Sequence, residues 1–81
     1  MMTPAQCRAA RALLDWSQQQ LAVAAKIGNA TIRNFEGRKS TPQNATLDVL
    51  QRALESAGVE FTNGDEPGVK LTAKGKKGKR A

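Results

Sequence analysis

The chain has 81 residues, of which 40% are hydrophobic, and a formal net charge of +6 at pH 7. This length supports one small hydrophobic core, which excludes a second domain and a large internal active site. The apolar runs are too short for a transmembrane helix or a secretory signal, so we expect a cytoplasmic protein. One cysteine and no histidine exclude an internal disulfide and a zinc site, and we expect no metal and no cofactor.

Most of the positive charge lies at the end of the chain. Residues 72–81 contain five basic and no acidic residues, whereas residues 1–71 contain eight basic and seven acidic residues. Lysine and glycine dominate residues 72–81, which predicts a disordered basic tail that either adds sequence-independent affinity for phosphates or only keeps the chain soluble. A second basic cluster, residues 26–42, has four basic residues and one acidic residue, and it favours a polyanion as the partner.

The first predicted helix spans residues 4–14. Thr3 suits its N-cap, Pro4 suits its first turn, and Gln6 lies where a capping box needs Glu or Gln. The spacing of the apolar residues predicts that one face of this helix turns towards the core. That face consists of Ala9, Ala12, Leu13 and Trp16.

A second capping box follows the first helix at once. Ser17 and Gln20 have the spacing at which each side chain reaches the backbone N–H of the other, which predicts a second helix that ends near Lys26. Trp16 and Leu21 flank this box as a hydrophobic staple. We therefore interpret Trp16 as a core residue rather than one that stacks on a base.

A third short helix is predicted over residues 29–36, with Gly28 or Asn29 as its N-cap. Ile32 and Phe35 are three residues apart and give this helix an apolar face. Two short helices joined by a tight turn are typical of the helix-turn-helix unit, whose second helix enters the major groove of DNA. One long helix would instead lie along its neighbours and could not project from the domain.

The last predicted elements are a fourth helix and a hairpin. The stretch "NATLDVLQRALESAG" predicts a helix that is capped by Asn44 or Thr46 and closed by Gly58. After it, "VEF" and "VKL" alternate apolar and charged residues around the turn-rich "TNGDEPG", which predicts a β-hairpin at about residues 59–71. The inward face of the fourth helix consists of Leu47, Leu50, Ala53, Leu54 and Ala57.

The motifs "RAARALLDWSQQQLA" and "ATIRNFE" resemble those of the Cro/C1-type (XRE-like) helix-turn-helix regulators, a family that includes the phage lambda repressor DNA-binding domain. The resemblance covers about residues 5–71. It implies an all-α, four-helix, lambda repressor-like domain over residues 1–71 with a small C-terminal β-hairpin. It also implies a bacterial, nucleoid-associated transcriptional regulator, expected to be a repressor, that binds double-stranded DNA sequence-specifically as a homodimer on a pseudo-palindromic operator.

The resemblance also assigns the DNA contacts. Asparagine can pair with adenine, and arginine with guanine, through two hydrogen bonds each, whereas contacts to phosphate set the register. Gln18 would contact a phosphate and support the start of the third helix. The base-reading residues would be Asn29, Ala30, Thr31, Arg33 and Asn34, and the phosphate-binding residues would be Gln18, Lys26, Gly28, Arg38, Lys39, Ser40 and Asn44.

The resemblance also implies an ion pair that supports the fold. Glu36, at the end of the third helix, is expected to pair with Arg11, or with Arg8 in its place, and so to support the fold without contacting DNA.

Two positions depart from the family pattern. Lys26 stands where the turn usually has glycine, and the glycine expected after the third helix belongs one place later than Gly37. Lysine in a left-handed conformation at that turn would cost roughly 1 kcal/mol relative to glycine.

Other functions are open from the sequence. The antitoxin of a toxin–antitoxin pair would bind DNA and a protein partner, although an antitoxin segment usually carries apolar anchors where this chain has basic residues. A helical interaction module without DNA activity would not need the basic residues around the third helix. An enzyme is not expected, because the chain has no nucleophile–base pair, phosphate loop or paired carboxylates. Cys7 is interpreted as an ordinary, partly buried helix residue.

Overall fold

A computed structural model of the chain describes residues 2–62 and 67–72. Within them, four helices precede an antiparallel pair of strands, and the predicted fold class is confirmed. The predicted tail, apart from residue 72, and the tip of the hairpin lie outside the described residues. The elements are α1 (Pro4–Leu14), α2 (Gln18–Ala25), α3 (Asn29–Glu36), α4 (Asn44–Ser56), β1 (Val59–Thr62) and β2 (Gly68–Leu71).

Two capping boxes set where α1 and α2 begin. The backbone N–H of Gln6 donates to Thr3 Oγ1 at 3.1 Å, and the backbone N–H of Thr3 donates to Gln6 Oε1 at 2.9 Å. Ser17 and Gln20 repeat this arrangement at 2.8 and 3.1 Å. These bonds satisfy backbone N–H groups that the start of a helix leaves unpaired. Both predicted helix starts are confirmed.

The other two helices begin without a side-chain cap. Gly28 is the N-cap residue of α3 and Gln43 that of α4, and neither makes a side-chain capping hydrogen bond. The prediction that Asn44 or Thr46 caps α4 is therefore wrong. Gln43 has the extended backbone typical of an N-cap residue, so Asn44 is already the first helical residue.

The inward face of α1 also differs from the predicted one. Ala9 and Ala12 are exposed, whereas Leu13 and Trp16 are half-buried. Alanine carries little apolar weight, so the periodicity of this alanine-rich helix does not fix which side faces the core. The buried face consists of Gln6, Cys7 and Ala10.

The hairpin explains why a polar residue of α1 is buried. Gln6 Nε2 donates to the backbone carbonyl oxygens of Thr62 at 3.0 Å and Gly68 at 3.1 Å, one at the end of each strand. Val59 pairs with Leu71, and β2 lies against α1. The hairpin is therefore held to the helices by a buried side chain as well as by apolar packing. A two-stranded sheet needs such contacts because it is only marginally stable by itself.

The core joins all four helices to β1. Apolar side chains of α2, α3 and α4 meet in one cluster, and α1 and the first strand close it. The predicted inward positions Leu47, Leu50 and Leu54 of α4 are buried. On α3, the buried residues are Ile32, Phe35 and Glu36, which share one face, so this helix is fixed to the domain by that face. The largest side chains that are fully buried are those of Leu21, Ile32, Leu50, Leu54, Val59 and Cys7.

Left-handed backbone conformations follow the first three helices. The φ angles are 57° at Asp15, 58° at Lys26 and 62° at Arg38. Such a φ costs an L-residue roughly 1–2 kcal/mol that glycine avoids. Lys26 thus has the conformation of the glycine that it replaces in the turn. Gly37 has a φ of −85°, and Arg38, one place later, has the glycine-like conformation.

Candidate nucleic-acid interface

One side of α3 is packed and the other side is open. Ile32, Phe35 and Glu36 form the packed side. Ala30 and Arg33, which are three residues apart, are exposed and share the open side. Among the residues predicted to read bases, the structure therefore brings these two together on the surface and leaves three half-buried. The half-buried ones are Asn29, Thr31 and Asn34.

Six of the seven residues predicted to contact phosphate are exposed, and they lie in three places along the chain before and after α3. Lys26 and Gly28 lie in the turn before α3, and both are exposed. Arg38, Lys39 and Ser40 are exposed in the loop after α3, and Asn44 is exposed at the start of α4. The backbone N–H groups of Lys39 and Ser40 donate to the carbonyl oxygen of Asn34 at 2.8 and 3.4 Å. This loop is therefore fixed to α3 itself.

Positive charge is concentrated around α3. Among the described residues, none of the four basic side chains of residues 26–42 forms an ion pair with a carboxylate. Glu36, the only acidic residue within residues 26–42, is turned inward and is 4% exposed. The charge on this surface is therefore available to an anionic partner. The basic residues are Lys26, Arg33, Arg38 and Lys39.

Gln18 contacts the opposite end of α3 from the one that the resemblance implies. It is half-buried, and its Nε2 donates to Glu36 Oε1 at 3.1 Å, at the last residue of α3. The start of α3 is instead contacted by Gln19, whose Oε1 accepts a 3.2 Å hydrogen bond from Asn29 Nδ2. Nothing in the sequence predicts this contact of Gln19, because an exposed glutamine near a helix start has no distinctive pattern.

Glu36 joins α3 to both preceding helices, and we call its contacts the Glu36 cluster. Arg11 Nε and Nη2 donate to the two carboxylate oxygens, each at 2.7 Å. Cys7 Sγ donates to Oε2 and Gln18 Nε2 to Oε1, each at 3.1 Å. Arg8 Nη1 donates to the backbone carbonyl oxygen of Glu36 at 2.6 Å. The predicted pair of Arg11 and Glu36 is present, and Arg8 adds to it rather than replacing it.

The Glu36 cluster shifts the ionisation of its members. Burial raises the pKa of Glu36, but the hydrogen bonds from Arg11, Gln18 and Cys7 and the positive charge of Arg11 together outweigh burial, so the net pKa is lowered. The hydrogen bond to Glu36 raises the pKa of Arg11. Burial first, and then Glu36, raise the pKa of the Cys7 thiol, which stays protonated and donates to the carboxylate. Cys7 was expected to be partly buried, but it is completely buried. A buried thiol that stays protonated is not a reactive nucleophile.

These contacts determine how α3 is presented. Ile32 and Phe35 fix the middle of the helix to the core, and the Glu36 cluster fixes its end to α1 and α2. Trp16, predicted as a core residue, packs against the core, and its carbonyl oxygen accepts from Arg11 Nη1 at 2.9 Å. A helix held in this way on one side keeps its opposite side free to enter a groove.

A family model described as helix-turn-helix, of the Cro/C1 type, matches residues 8–61. The chain belongs to this family. Its members are DNA-binding transcription regulators. Comparison with curated proteins finds no similar sequence.

The matched segment gives the elements of this helix-turn-helix protein their place in the motif. Residues 8–61 include α2, the turn at Lys26 and α3, together with α4 and the Glu36 cluster apart from Cys7. Within residues 2–62 and 67–72, no helix has the length and apolar character needed to cross a membrane. The same residues contain no group of histidine, cysteine, aspartate and glutamate that could hold a metal ion.

The stability of this helix-turn-helix domain should fall in acid because of Glu36. Its folded pKa lies below the ordinary glutamate value of about 4.3, so the unfolded chain takes up the proton first as the pH falls. The contribution of Glu36 is therefore complete above that ordinary value and is lost as the pH falls through the lower, folded pKa. Urea unfolding between about pH 7 and about pH 3 measures this loss.

The matched control is Glu36→Gln, which keeps the shape of the side chain but does not titrate. The other carboxylates titrate in both proteins, so the difference between their pH profiles isolates Glu36. The variant should be less stable at neutral pH and lose less stability in acid. Parallel profiles for the two proteins would contradict the assignment.

Proposed function

We propose that this helix-turn-helix protein is a sequence-specific transcriptional repressor that binds a pseudo-palindromic operator as a homodimer in the cytoplasm. The observation that carries the proposal is the open side of α3. Ala30 and Arg33 are exposed there, beside basic side chains that pair with no described carboxylate. No catalytic step is part of the proposal.

The chemistry of this side suits base edges in the major groove. The guanidinium of Arg33 can donate two hydrogen bonds to O6 and N7 of guanine, and the methyl group of Ala30 can contact the thymine methyl. The amide of Asn29 lies at the start of the same helix. We therefore assign base reading to this end and side of α3, with Thr31 and Asn34 beside it.

Phosphate contacts would fix the register of α3 on the duplex. Lys26 and Gly28 precede α3, and Arg38, Lys39 and Ser40 follow it in a loop that hydrogen-bonds to Asn34. Contacts on both sides of the helix set its depth and angle in the groove without reading sequence. The basic residues after residue 72 would add affinity for any duplex, and this part of the affinity would fall with salt.

A homodimer is proposed because one recognition helix covers only a few base pairs. Two copies on half-sites about 34 Å apart, one turn of the duplex, double the sequence that is read. The candidate dimer surfaces are the hairpin and the outer face of α4. On α4, Val49 is 43% exposed beside an open apolar groove of about 430 Å³. A dimer on its operator represses by excluding other proteins from the same stretch of duplex.

Selection of bound duplexes from a random pool tests the proposed function. The recovered motif should consist of two inverted half-sites whose centres are about 10 base pairs apart, or a multiple of that distance. Each half-site should contain at least one guanine, the base that Arg33 is suited to read. Recovery of unrelated duplexes after repeated rounds would refute sequence-specific binding, and a single uninverted site would refute the homodimer.

A further inference from the structure

The side-chain amide of Asn29 is not free to form both of its hydrogen bonds with a base. Its Nδ2 donates to Gln19 Oε1 at 3.2 Å, and its Oδ1 has less than 1 Å² exposed and accepts no hydrogen bond from the described residues. A bidentate pair with adenine needs both atoms, with Nδ2 donating to N7 and Oδ1 accepting from N6. In this arrangement the acceptor faces the protein and one of the two donor hydrogens is already used.

Gln19 is the contact that holds this arrangement. It is exposed at the start of α2, and the hydrogen bond crosses from α2 to the first residue of α3. Gln18, the neighbouring residue, is bound to Glu36 instead, and Gln20 completes the capping box with Ser17. Of the three consecutive glutamines, only Gln19 therefore has its side chain directed to the reading end of α3.

We propose that Gln19 is a specificity-determining, positioning residue that withholds Asn29 from the two-bond reading of adenine. With Oδ1 turned inward, Asn29 offers the duplex only the remaining N–H of Nδ2. That donor can reach an acceptor on a guanine, thymine or adenine edge and does not single out adenine. This inference rests on the proposed DNA-reading role of α3 and identifies which residue sets its base preference.

The test is a comparison of base preference in the wild type and three variants on the duplex selected by the wild type. Asn29→Ala first identifies the base pair that residue 29 contacts, because preference should be lost at that position alone. At this base pair, Gln19→Ala should raise the preference for adenine over guanine by about tenfold, since a released asparagine can make both hydrogen bonds. A double variant with both substitutions should behave as Asn29→Ala does.

Gln19→Glu is the conservative variant. A glutamate keeps an oxygen that can accept from Asn29 Nδ2, so this variant should retain the wild-type ratio of adenine to guanine, although its charge weakens binding to every duplex. A merely structural role for Gln19 would change affinity or melting temperature and leave the ratio unmoved.

The outcomes separate the two claims. If the ratio of adenine to guanine preference were unchanged in Gln19→Ala, or rose equally in Gln19→Glu, the role of Gln19 would be overturned. The assignment of α3 to base reading would not be affected. If Asn29→Ala altered preference at no position, the assignment of Asn29 to base reading would fail as well. The circular dichroism spectrum of each variant should match the wild type, because both side chains lie at helix starts outside the core.

Discussion

Arg11→Ala is expected to lower the free energy of unfolding by about 3 kcal/mol, which corresponds to a fall of about 15 °C in melting temperature for a domain of this size. The reason is the position of Glu36, whose side chain is 3% exposed beside an Arg11 side chain that is 18% exposed. Removing the arginine leaves a buried carboxylate without its cation and with two of its hydrogen bonds lost. Thermal and urea unfolding measure the effect.

The matched control is Arg52→Ala. Arg52 pairs with Asp48 four residues before it on α4, at 3.2 Å, with side chains that are 76% and 58% exposed. An exposed pair of this kind contributes less than about 0.5 kcal/mol. Both variants lose one arginine and the same charge, so only the surroundings differ. Equal stability losses in the two would show that the Glu36 cluster is not the structural support described above.

The link between this cluster and function is geometric. The cluster joins the last residue of α3 to α1 and α2, so it fixes the angle at which the open side of α3 leaves the domain. None of its bonds involves an exposed residue of that side. A moderate perturbation such as Glu36→Gln should therefore weaken binding to all duplexes in proportion to the folded fraction and leave the choice among them unchanged.

The helix bounds could be predicted from the sequence because local contacts set them. The capping boxes of Thr3 with Gln6 and Ser17 with Gln20 lie within four consecutive residues each, and both are formed as expected. The end of α2 at Lys26 and of α3 near Gly37 likewise follow from short motifs. The pair of Arg11 and Glu36 was available only through the family resemblance, since 25 residues separate the two.

The buried face of α1 and the partner of Asn29 could not be predicted from the sequence, because they depend on how separate elements of the chain pack together. The burial of Gln6 in place of the predicted face of α1 results from hairpin carbonyls more than 50 residues away. The choice between Gln18 and Gln19 as the contact of Asn29 depends on the angle between α2 and α3, which places Gln18 against Glu36. Three adjacent glutamines look alike in a sequence, and only packing distinguishes their roles.

The second prediction concerns specificity. Replacing both Asn29 and Arg33 by alanine should reduce the preference for the selected operator over random duplex by about a hundredfold, because the preference at each base pair of a site typically contributes about 1–3 kcal/mol to discrimination. Fold stability should change little, since Arg33 is exposed and Asn29 lies at the first residue of α3, outside the core. Contacts to phosphate remain in the variant, so binding to random duplex should persist.

The ratio of dissociation constants for operator and random duplex, measured at one salt concentration, tests the reading face most directly. The double variant at Asn29 and Arg33 should lower the ratio by about a hundredfold while its helical circular dichroism is retained. A ratio in that variant equal to the wild-type ratio would show that α3 does not read the duplex.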